Sequence, residues 1–157
     1  MEWILKRLIY IGAIFNWMDI ALVAKLCEKY EVSMAGEKRI ELPQKVNYLG
    51  KLPFTEVAQA IAANDVGIIP FLRNELTFDI NNSKIYQFYA LGLPVVSTLD
   101  NLASREAKVL ISGNHDEFLA NIEKTESINR DELVQIAKEN DWQRQADRFA
   151  QVLRDIN

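Results

Sequence analysis

The sequence predicts an α/β fold, a doubly wound parallel sheet of about six strands that is flanked by helices and followed by a helical tail. Short β-branched runs alternate with longer segments of helical periodicity, and strand–helix–strand alternation implies a parallel sheet. Most of the runs are apolar at consecutive positions, as in strands that are covered on both faces. No repeat or Gly/Ser linker divides the 157 residues. Residues 1–157 are therefore predicted to form a single domain.

Six segments are predicted as strands: Leu8–Ile11, Val32–Ala35, Val46–Leu49, Val66–Pro70, Val95–Thr98 and Lys108–Ile111. The first lies within "LIYIGAIF", which follows two basic residues in the manner of an export signal. The run is short and lacks a small-residue cleavage site, and no apolar run reaches the roughly 18 residues of a membrane span. We therefore interpret it as a strand.

The starts of the first two helices are predicted from polar residues that can cap them. The first is predicted to run from about Asn16 to Tyr30, with Asn16 as the cap and Asp19 completing a pair like a capping box. The second is "TEVAQAIAAND", with Thr55 as its cap.

The third helix is predicted to begin at Asn82 or Ser83 and to end at Gly92, which supplies the left-handed position after a helix. Pro94 prevents its continuation. The last third of the chain is more helical, with three further helices predicted in "HDEFLANIEKT", "RDELVQIAKEN" and "DWQRQADRFAQVLRDI".

Composition limits the function. The net charge is −4 and the pI about 5.1, which argues against broad nucleic-acid binding because that needs a basic surface. Cys27 is the only cysteine and cannot form an internal disulfide. Its helical apolar setting favours a core position over a thiol nucleophile. The sequence contains no Cys/His cluster and no paired-Asp motif, so it does not predict a metal site.

Two strand-to-helix junctions are candidates for a phosphate site, because a helix start leaves backbone N–H groups without partners at the edge where ligands bind an open α/β sheet. Gly12 follows the first strand, and Asn82–Lys84 begin the third helix. Asp79 and Gln87 flank that helix start and can bond to hydroxyls. Each feature also has a structural interpretation: a turn at Gly12, a cap at Asn82 and Ser83, and a solvated Lys84.

Two other side chains have alternative interpretations. His115, the only histidine, lies where a loop leads into a helix, which favours a surface or capping role over catalysis. Trp17 is predicted to pack under the first helix; the alternative is a position lining a ligand cleft.

Three segments together resemble a known family. "YIGAIFNWMDIALVAKLCEKY", "VNYLGKLPFTEVAQAIAANDVGIIPFLRNELT" and "SKIYQFYALGLPVVST" resemble, in this order, the C-terminal half of a GT-B glycosyltransferase of the family-four-like group. The similarity covers roughly residues 8–155, including the Trp-containing tail. It implies a Rossmann-like domain that binds a nucleotide sugar as donor substrate, with retention at the anomeric carbon and without a metal or other cofactor.

The resemblance also implies roles for particular residues. The family's donor motif, two Glu eight positions apart before "A-x-G-x-PVV", falls on Asp79 and Gln87. Gln87 would meet the ribose, and Asp79 would act at the transferred sugar together with Lys84. The remaining implied contacts are with the diphosphate, by Asn82, Ser83, Lys84, Gly12 and Ala13, and near the base, by Gly50 and Lys51.

The sequence departs from the family pattern at four positions. Gln87 replaces a carboxylate and so loses a charge-assisted bond, and Asp79 is one methylene shorter than Glu. Ala13 and Met18 stand where many members have an Arg and a Lys on the diphosphate. The candidate cations to compensate are Lys84, Arg73 or Lys51.

The length leaves no room for the family's N-terminal acceptor domain. We therefore expect that domain, or a partner subunit, to complete the enzyme, and the isolated chain to bind donor weakly without transfer. The resemblance implies a bacterial, cytoplasmic enzyme of cell-surface polysaccharide synthesis, free or at the inner face of the membrane. The alternatives are a degenerate, non-catalytic nucleotide- or partner-binding module of this fold, and a nucleotide-sugar epimerase, which the missing glycine-rich fingerprint disfavours.

Overall fold

The computed structural model describes residues 4–80 and 83–141, together with residues 147, 150, 151, 154 and 155. One all-parallel sheet has the strand order β3-β2-β1-β4-β5-β6, which confirms the predicted doubly wound sheet of six strands. The strands are β1 (Arg7–Ile11), β2 (Glu31–Ala35), β3 (Asn47–Gly50), β4 (Val66–Ile69), β5 (Val95–Ser97) and β6 (Leu110–Ile111).

Seven α-helices flank this sheet within the described ranges: α1 (Ile20–Lys29), α2 (Phe54–Ala62), α3 (Glu75–Phe78), α4 (Lys84–Ala90), α5 (Leu102–Glu106), α6 (His115–Lys124) and α7 (Arg130–Glu139). Since parallel crossovers are right-handed, α1 and α4 cover opposite faces. No helix in the described ranges is long and apolar enough to cross a bilayer. The last predicted helix, with Trp142, lies largely outside the described residues.

The central strands form the core. Every residue of β4 and β5 is buried, as are Leu8 to Ile11 of β1. On one face α4 lies very close to β4, because a Cβ at Gly67 would be 2.8 Å from the Phe88 ring. Cys27 packs partly buried against the core, and burial raises the pKa of its thiol. This setting favours the predicted packing role over a nucleophile.

The first helix begins later than predicted. Asp19, not Asn16, is its cap, and the Asp19 carboxylate accepts from the Leu22 amide. Residues before it are held in non-helical pairings instead, because Ile14 bridges to Lys38 and Met18 to Phe71. Trp17 is partly buried against the core, which agrees with its predicted packing.

The start of the second helix was also wrong in detail, whereas the predicted start of the third helix at Ser83 was correct. The second helix begins at Phe54 with Pro53 in the cap position and no side-chain capping bond, so Thr55 is not its cap. Ser83 occupies the cap position of α4 but likewise makes no side-chain capping bond. Asn82 lies outside the described residues. The prediction for the end of α4 was correct: Gly92 has φ +75° and follows the final turn.

The strand predicted at Lys108–Ile111 is shorter than expected. Lys108 has φ +57° and closes α5, since its amide donates to the Arg105 carbonyl. Only Leu110 and Ile111 form β6. The short helices α3 and α5 were not predicted, because each has fewer than two turns.

Candidate functional site at the carboxyl edge of the sheet

Three glycines mark the carboxyl ends of β1, β2 and β3. The Gly12 amide donates to the Ala35 carbonyl at 3.0 Å, and the Gly36 amide donates to the Gly50 carbonyl at 2.9 Å. All three glycines have positive φ, at +151°, +141° and +75° for Gly12, Gly36 and Gly50. The structure therefore brings the predicted Gly12 and Gly50 to one edge, with Gly36 between them.

These glycines differ in the space around them. A Cβ at Gly12 would lie 2.8 Å from the Tyr10 hydroxyl, and one at Gly36 would lie 1.8 Å from the Gly12 carbonyl oxygen. A Cβ at Gly50 would meet nothing within 4 Å. The loops are therefore closely packed near Gly12 and open toward Gly50 and the exposed Lys51.

The loop after β1 is fastened to the loop after β4. The Asp19 amide donates to the Pro70 carbonyl at 2.8 Å, and the Leu72 amide donates to the Trp17 carbonyl at 2.7 Å. Since β1 and β4 are adjacent and their crossovers go to opposite faces, this is the topological switch point of the sheet. In open α/β sheets, ligands bind in the crevice at that point.

Ala13 and Met18, both in the loop after β1, make contacts that stabilise the fold. The Tyr10 hydroxyl donates to the Ala13 carbonyl at 2.7 Å, and burial raises the pKa of Tyr10. Met18 is only 2% exposed. The Met18 side chain therefore serves the core.

The segment after β4 positions Asp79, Ser83 and Lys84. Asp79 is exposed and ends α3, while the Asn101 amide group donates to the Phe78 and Ile80 carbonyls at 3.2 and 3.1 Å. Asn101 follows β5, so these bonds hold the end of α3 at the carboxyl edge of the sheet. The helix α4 ends near the start of β5, and its first residues therefore lie at the carboxyl edge as well.

The site residues predicted from the sequence form two groups along the carboxyl edge of the sheet. Gly12, Ala13, Gly50 and Lys51 follow β1 and β3, while Asp79, Ser83, Lys84 and Gln87 follow β4. Ser83 is exposed, and Lys84 and Gln87 are half-buried. Both groups belong to the same edge, because each follows the carboxyl end of a strand in an all-parallel sheet.

A cavity of about 500 Å³ lies beside the loop that follows β4. It is lined by Asp19, Lys25, Phe71, Leu72, Arg73, Thr98, Ser112, Gly113, Asn114, His115 and Asp116. Of the residues that the sequence predicted for the diphosphate site, only Arg73, a candidate compensating cation, lines it. A second cavity of about 270 Å³ shares Arg73 with the first.

Most polar groups of the large cavity are already paired. The His115 Nε2 atom lies 2.8 Å from Asp19 Oδ2, and the Arg73 guanidinium donates to the Thr98 carbonyl at 2.6 Å and to the Ser112 carbonyl. His115 therefore joins α6 to the start of α1, a half-buried role that the sequence did not show because the partners are 96 residues apart. Arg73 joins the ends of β5 and β6.

The described residues contain no group of three His, Cys, Asp or Glu side chains that could hold a metal ion. The polar side-chain groups of the edge are instead the Ser83 hydroxyl, the Gln87 amide, the Asp79 carboxylate, and the ammonium groups of Lys51 and Lys84. Such groups suit a ligand with both anionic oxygens and hydroxyls.

Solved glycosyltransferases have a similar fold. The GtfA/B complex has a TM-score of 0.72 at 10% identity, with 96% of this chain and 36% of that chain covered. The pneumococcal O-GlcNAc transferase GtfA, solved with UDP and GlcNAc, gives 0.62 at 11% identity, with coverages of 96% and 35%. The trehalose-6-phosphate synthase OtsA gives 0.59 at 11% identity, with coverages of 86% and 39%.

These similarities confirm the predicted Rossmann-like fold of a GT-B glycosyltransferase domain. At such low sequence identity they show the fold alone. The chain spans somewhat more than a third of the length of these structures, 35 to 39%. No protein-family model and no curated protein matches the sequence.

Proposed function

We propose that this chain, which has the fold of a GT-B glycosyltransferase domain, binds the nucleotide sugar of a retaining glycosyltransferase. The observation that carries the proposal is the switch point, where the Gly12 loop is fastened to the segment that leads from β4 to α4. A nucleotide sugar has a diphosphate for such a crevice and hydroxyls for the polar side chains beside it. The similarity to a transferase solved with UDP and GlcNAc supports the same class of ligand.

In this proposal the diphosphate lies between the Gly12–Ala13 loop and the start of α4, near Ser83 and Lys84. Asn82 is assigned to the same diphosphate contact because it directly precedes Ser83 in the sequence. The open space at Gly50 leaves room for the base beside Lys51, Gln87 bonds to the ribose, and Asp79 faces the transferred sugar. No metal or cofactor is included.

The proposed mechanism is electrostatic. Sugar transfer from a nucleotide donor builds positive charge on the ring and negative charge on the departing diphosphate. Fixed N–H donors and the Lys84 ammonium would stabilise the diphosphate as its charge grows, and Asp79 would face the positive ring.

The acceptor site belongs, in our proposal, to a second domain or partner subunit. The chain corresponds to about a third of each similar transferase, and chemistry would occur between the two domains. We therefore expect the 157-residue chain to bind donor weakly and to transfer no sugar. Incubation with nucleotide sugars and candidate acceptors tests this, and robust transfer by the chain alone would refute it.

The second candidate is a degenerate module that binds a nucleotide or a protein without turnover. The buried Met18 favours it, because a side chain that is 2% exposed adds nothing to a ligand site. The Ala13 carbonyl also favours the non-catalytic module, because it already accepts a hydrogen bond from the Tyr10 hydroxyl.

Amide chemical shifts during titration with UDP-, GDP- and ADP-linked sugars distinguish the candidates. The nucleotide site predicts shifts at Gly12, Gly36 and Gly50 and at the start of α4, with none at Lys124 on the opposite edge. No response to any of the three nucleotides would overturn the donor-site proposal. Binding without transfer, once an acceptor domain is supplied, would favour the non-catalytic module.

A further inference from the structure

Two neighbouring cations, Lys38 and Arg39, follow β2 and lie beside the Gly12 loop. Ile14 and Lys38 form a parallel β-bridge. The Ile14 amide donates to the Glu37 carbonyl at 2.8 Å, and the Arg39 amide donates to the Ile14 carbonyl at 3.0 Å. Backbone bonds thus hold both cationic residues against a position two residues beyond Gly12.

Both side chains are held over aromatic rings. The Lys38 ammonium lies 5.0 Å from the centroid of the Tyr48 ring, and the Arg39 guanidinium carbon lies 4.6 Å from that of Phe15. Tyr48 is itself fixed, since its hydroxyl donates to the Gly36 carbonyl at 2.6 Å. Cation–π contacts of this kind restrain a flexible cation before a ligand binds.

The charges of these residues are available to an anion. In the described part of the chain, no carboxylate lies within salt-bridge distance of Lys38. Arg39 is paired with Glu37 at 3.1 Å, but both side chains are exposed, at 67% and 46%, and such a pair contributes little. Arg73, by contrast, already uses its guanidinium on two carbonyl groups.

We propose that Lys38 and Arg39 bind the diphosphate of the nucleotide and so supply the positive charge that Ala13 and Met18 do not. This inference rests on the proposed nucleotide site and adds residues that the sequence did not single out. Lys38 is the principal contact, and Arg39 exchanges Glu37 for a phosphate oxygen. Their backbone bonds to Ile14 place them next to the glycine loop, so that in this proposal the diphosphate lies between these cations and the start of α4.

The test measures affinity by calorimetry for UDP, GDP and ADP, and for the three corresponding nucleosides. The tightest diphosphate is then titrated into Lys38→Gln, Arg39→Gln and the double variant. Lys124→Gln is the matched control, because Lys124 is also exposed but lies at the other edge, at the end of α6. Lys38→Arg tests rescue of the charge.

We expect Lys38→Gln to weaken diphosphate binding by about fivefold to tenfold and the double variant to weaken it further. Nucleoside affinity should change in none of the variants. Lys124→Gln should bind like the unmodified chain, and Lys38→Arg should recover most of the loss. Each variant should keep its thermal midpoint, since both side chains are exposed.

The outcomes separate the two proposals. If a diphosphate binds but the Lys38 and Arg39 variants bind it equally well, the inference fails and the nucleotide site stands. Equal losses for nucleoside and diphosphate would show a structural effect and would also refute phosphate contact. If no diphosphate binds the unmodified chain, both proposals fall.

Discussion

The carbonyl oxygen of Gly12 packs against Gly36 so closely that a Cβ at position 36 would lie 1.8 Å from it. This contact sets the spacing of the loops after β1 and β2. It is a close approach of two backbones that only glycine permits.

Gly36→Ala should therefore be strongly destabilising, by about 3 kcal/mol or more, because steric overlap adds to the strain of φ +141°. Gly50→Ala is the control, since position 50 also has positive φ but open space around it. It should cost about 1 kcal/mol. Urea unfolding of both variants measures the difference, and equal costs would show that the contact with Gly12 is unimportant.

Asp19 has two roles that a pair of substitutions can separate. Asp19→Ala removes both the cap of α1 and the contact with His115, and should cost about 2 kcal/mol. Asp19→Asn keeps a cap oxygen and should cost less. His115→Ala removes only the contact between α1 and α6, with an expected loss of about 1 kcal/mol. Free energies of unfolding in urea test this order, and an Asp19→Ala variant as stable as Asp19→Asn would contradict it.

Arg73→Lys should loosen the join between the ends of β5 and β6. A lysine cannot reach both the Thr98 and Ser112 carbonyls in the planar geometry of a guanidinium, so we expect a loss of about 1 kcal/mol. Faster hydrogen exchange of the amides of β6 would locate the effect. Arg105→Lys is the control; its partner Asp100 is exposed, and stability should not change measurably.

Glu123 should make stability depend on pH in the acid range. The Tyr30 hydroxyl donates to Glu123 at 2.5 Å, and this bond, with Lys6 and Lys29 nearby, holds the pKa of the carboxyl below its usual 4.5. A carboxyl whose pKa is lower in the folded state stabilises above pH 4.5 and loses that contribution as the pH falls through its folded pKa.

The comparison of the chain with Glu123→Gln isolates this contribution. Because Glu123 is half-exposed, we expect a difference below about 1 kcal/mol at pH 7. The difference should shrink toward zero as the pH is lowered from 5 to about 3. Urea unfolding at several pH values measures it, and a constant difference would rule out the carboxylate as the cause.

Gln87→Glu should strengthen nucleotide binding if Gln87 meets the ribose. A carboxylate accepts stronger hydrogen bonds from hydroxyl groups than an amide does, so affinity should rise by about threefold to tenfold. The gain should be smaller for the 2′-deoxynucleotide, which has lost one hydroxyl. An equal gain for both nucleotides would place Gln87 away from that hydroxyl.

The strands were predictable mainly because the central ones, β1, β4 and β5, are buried and largely apolar runs. All six were located, five of them to within one residue at each end. The last was predicted two residues too long, since Lys108 adopts a left-handed conformation that its residue type does not favour. Helix starts were less predictable. Asn16 has a good capping side chain, but the bridges of Ile14 and Met18 to distant segments prevent a helix there.

The candidate site likewise contains some residues that the sequence could predict and others that it could not. Gly12 and Gly50 follow strands and could be predicted from local pattern. Lys38 could not, because its position depends on a bridge to Ile14 across the sheet. The pairing of Asp19 with His115 likewise joins residues that only the folded chain brings together.

The sheet ends in short strands on both sides. An unpaired edge offers N–H and C=O groups to which another polypeptide can add a strand. Here β6 presents two residues and β3 four, and Lys51 follows β3 directly, where a charge discourages such addition. The domain should therefore stay free of strand-mediated aggregation at the concentrations that calorimetry and NMR require.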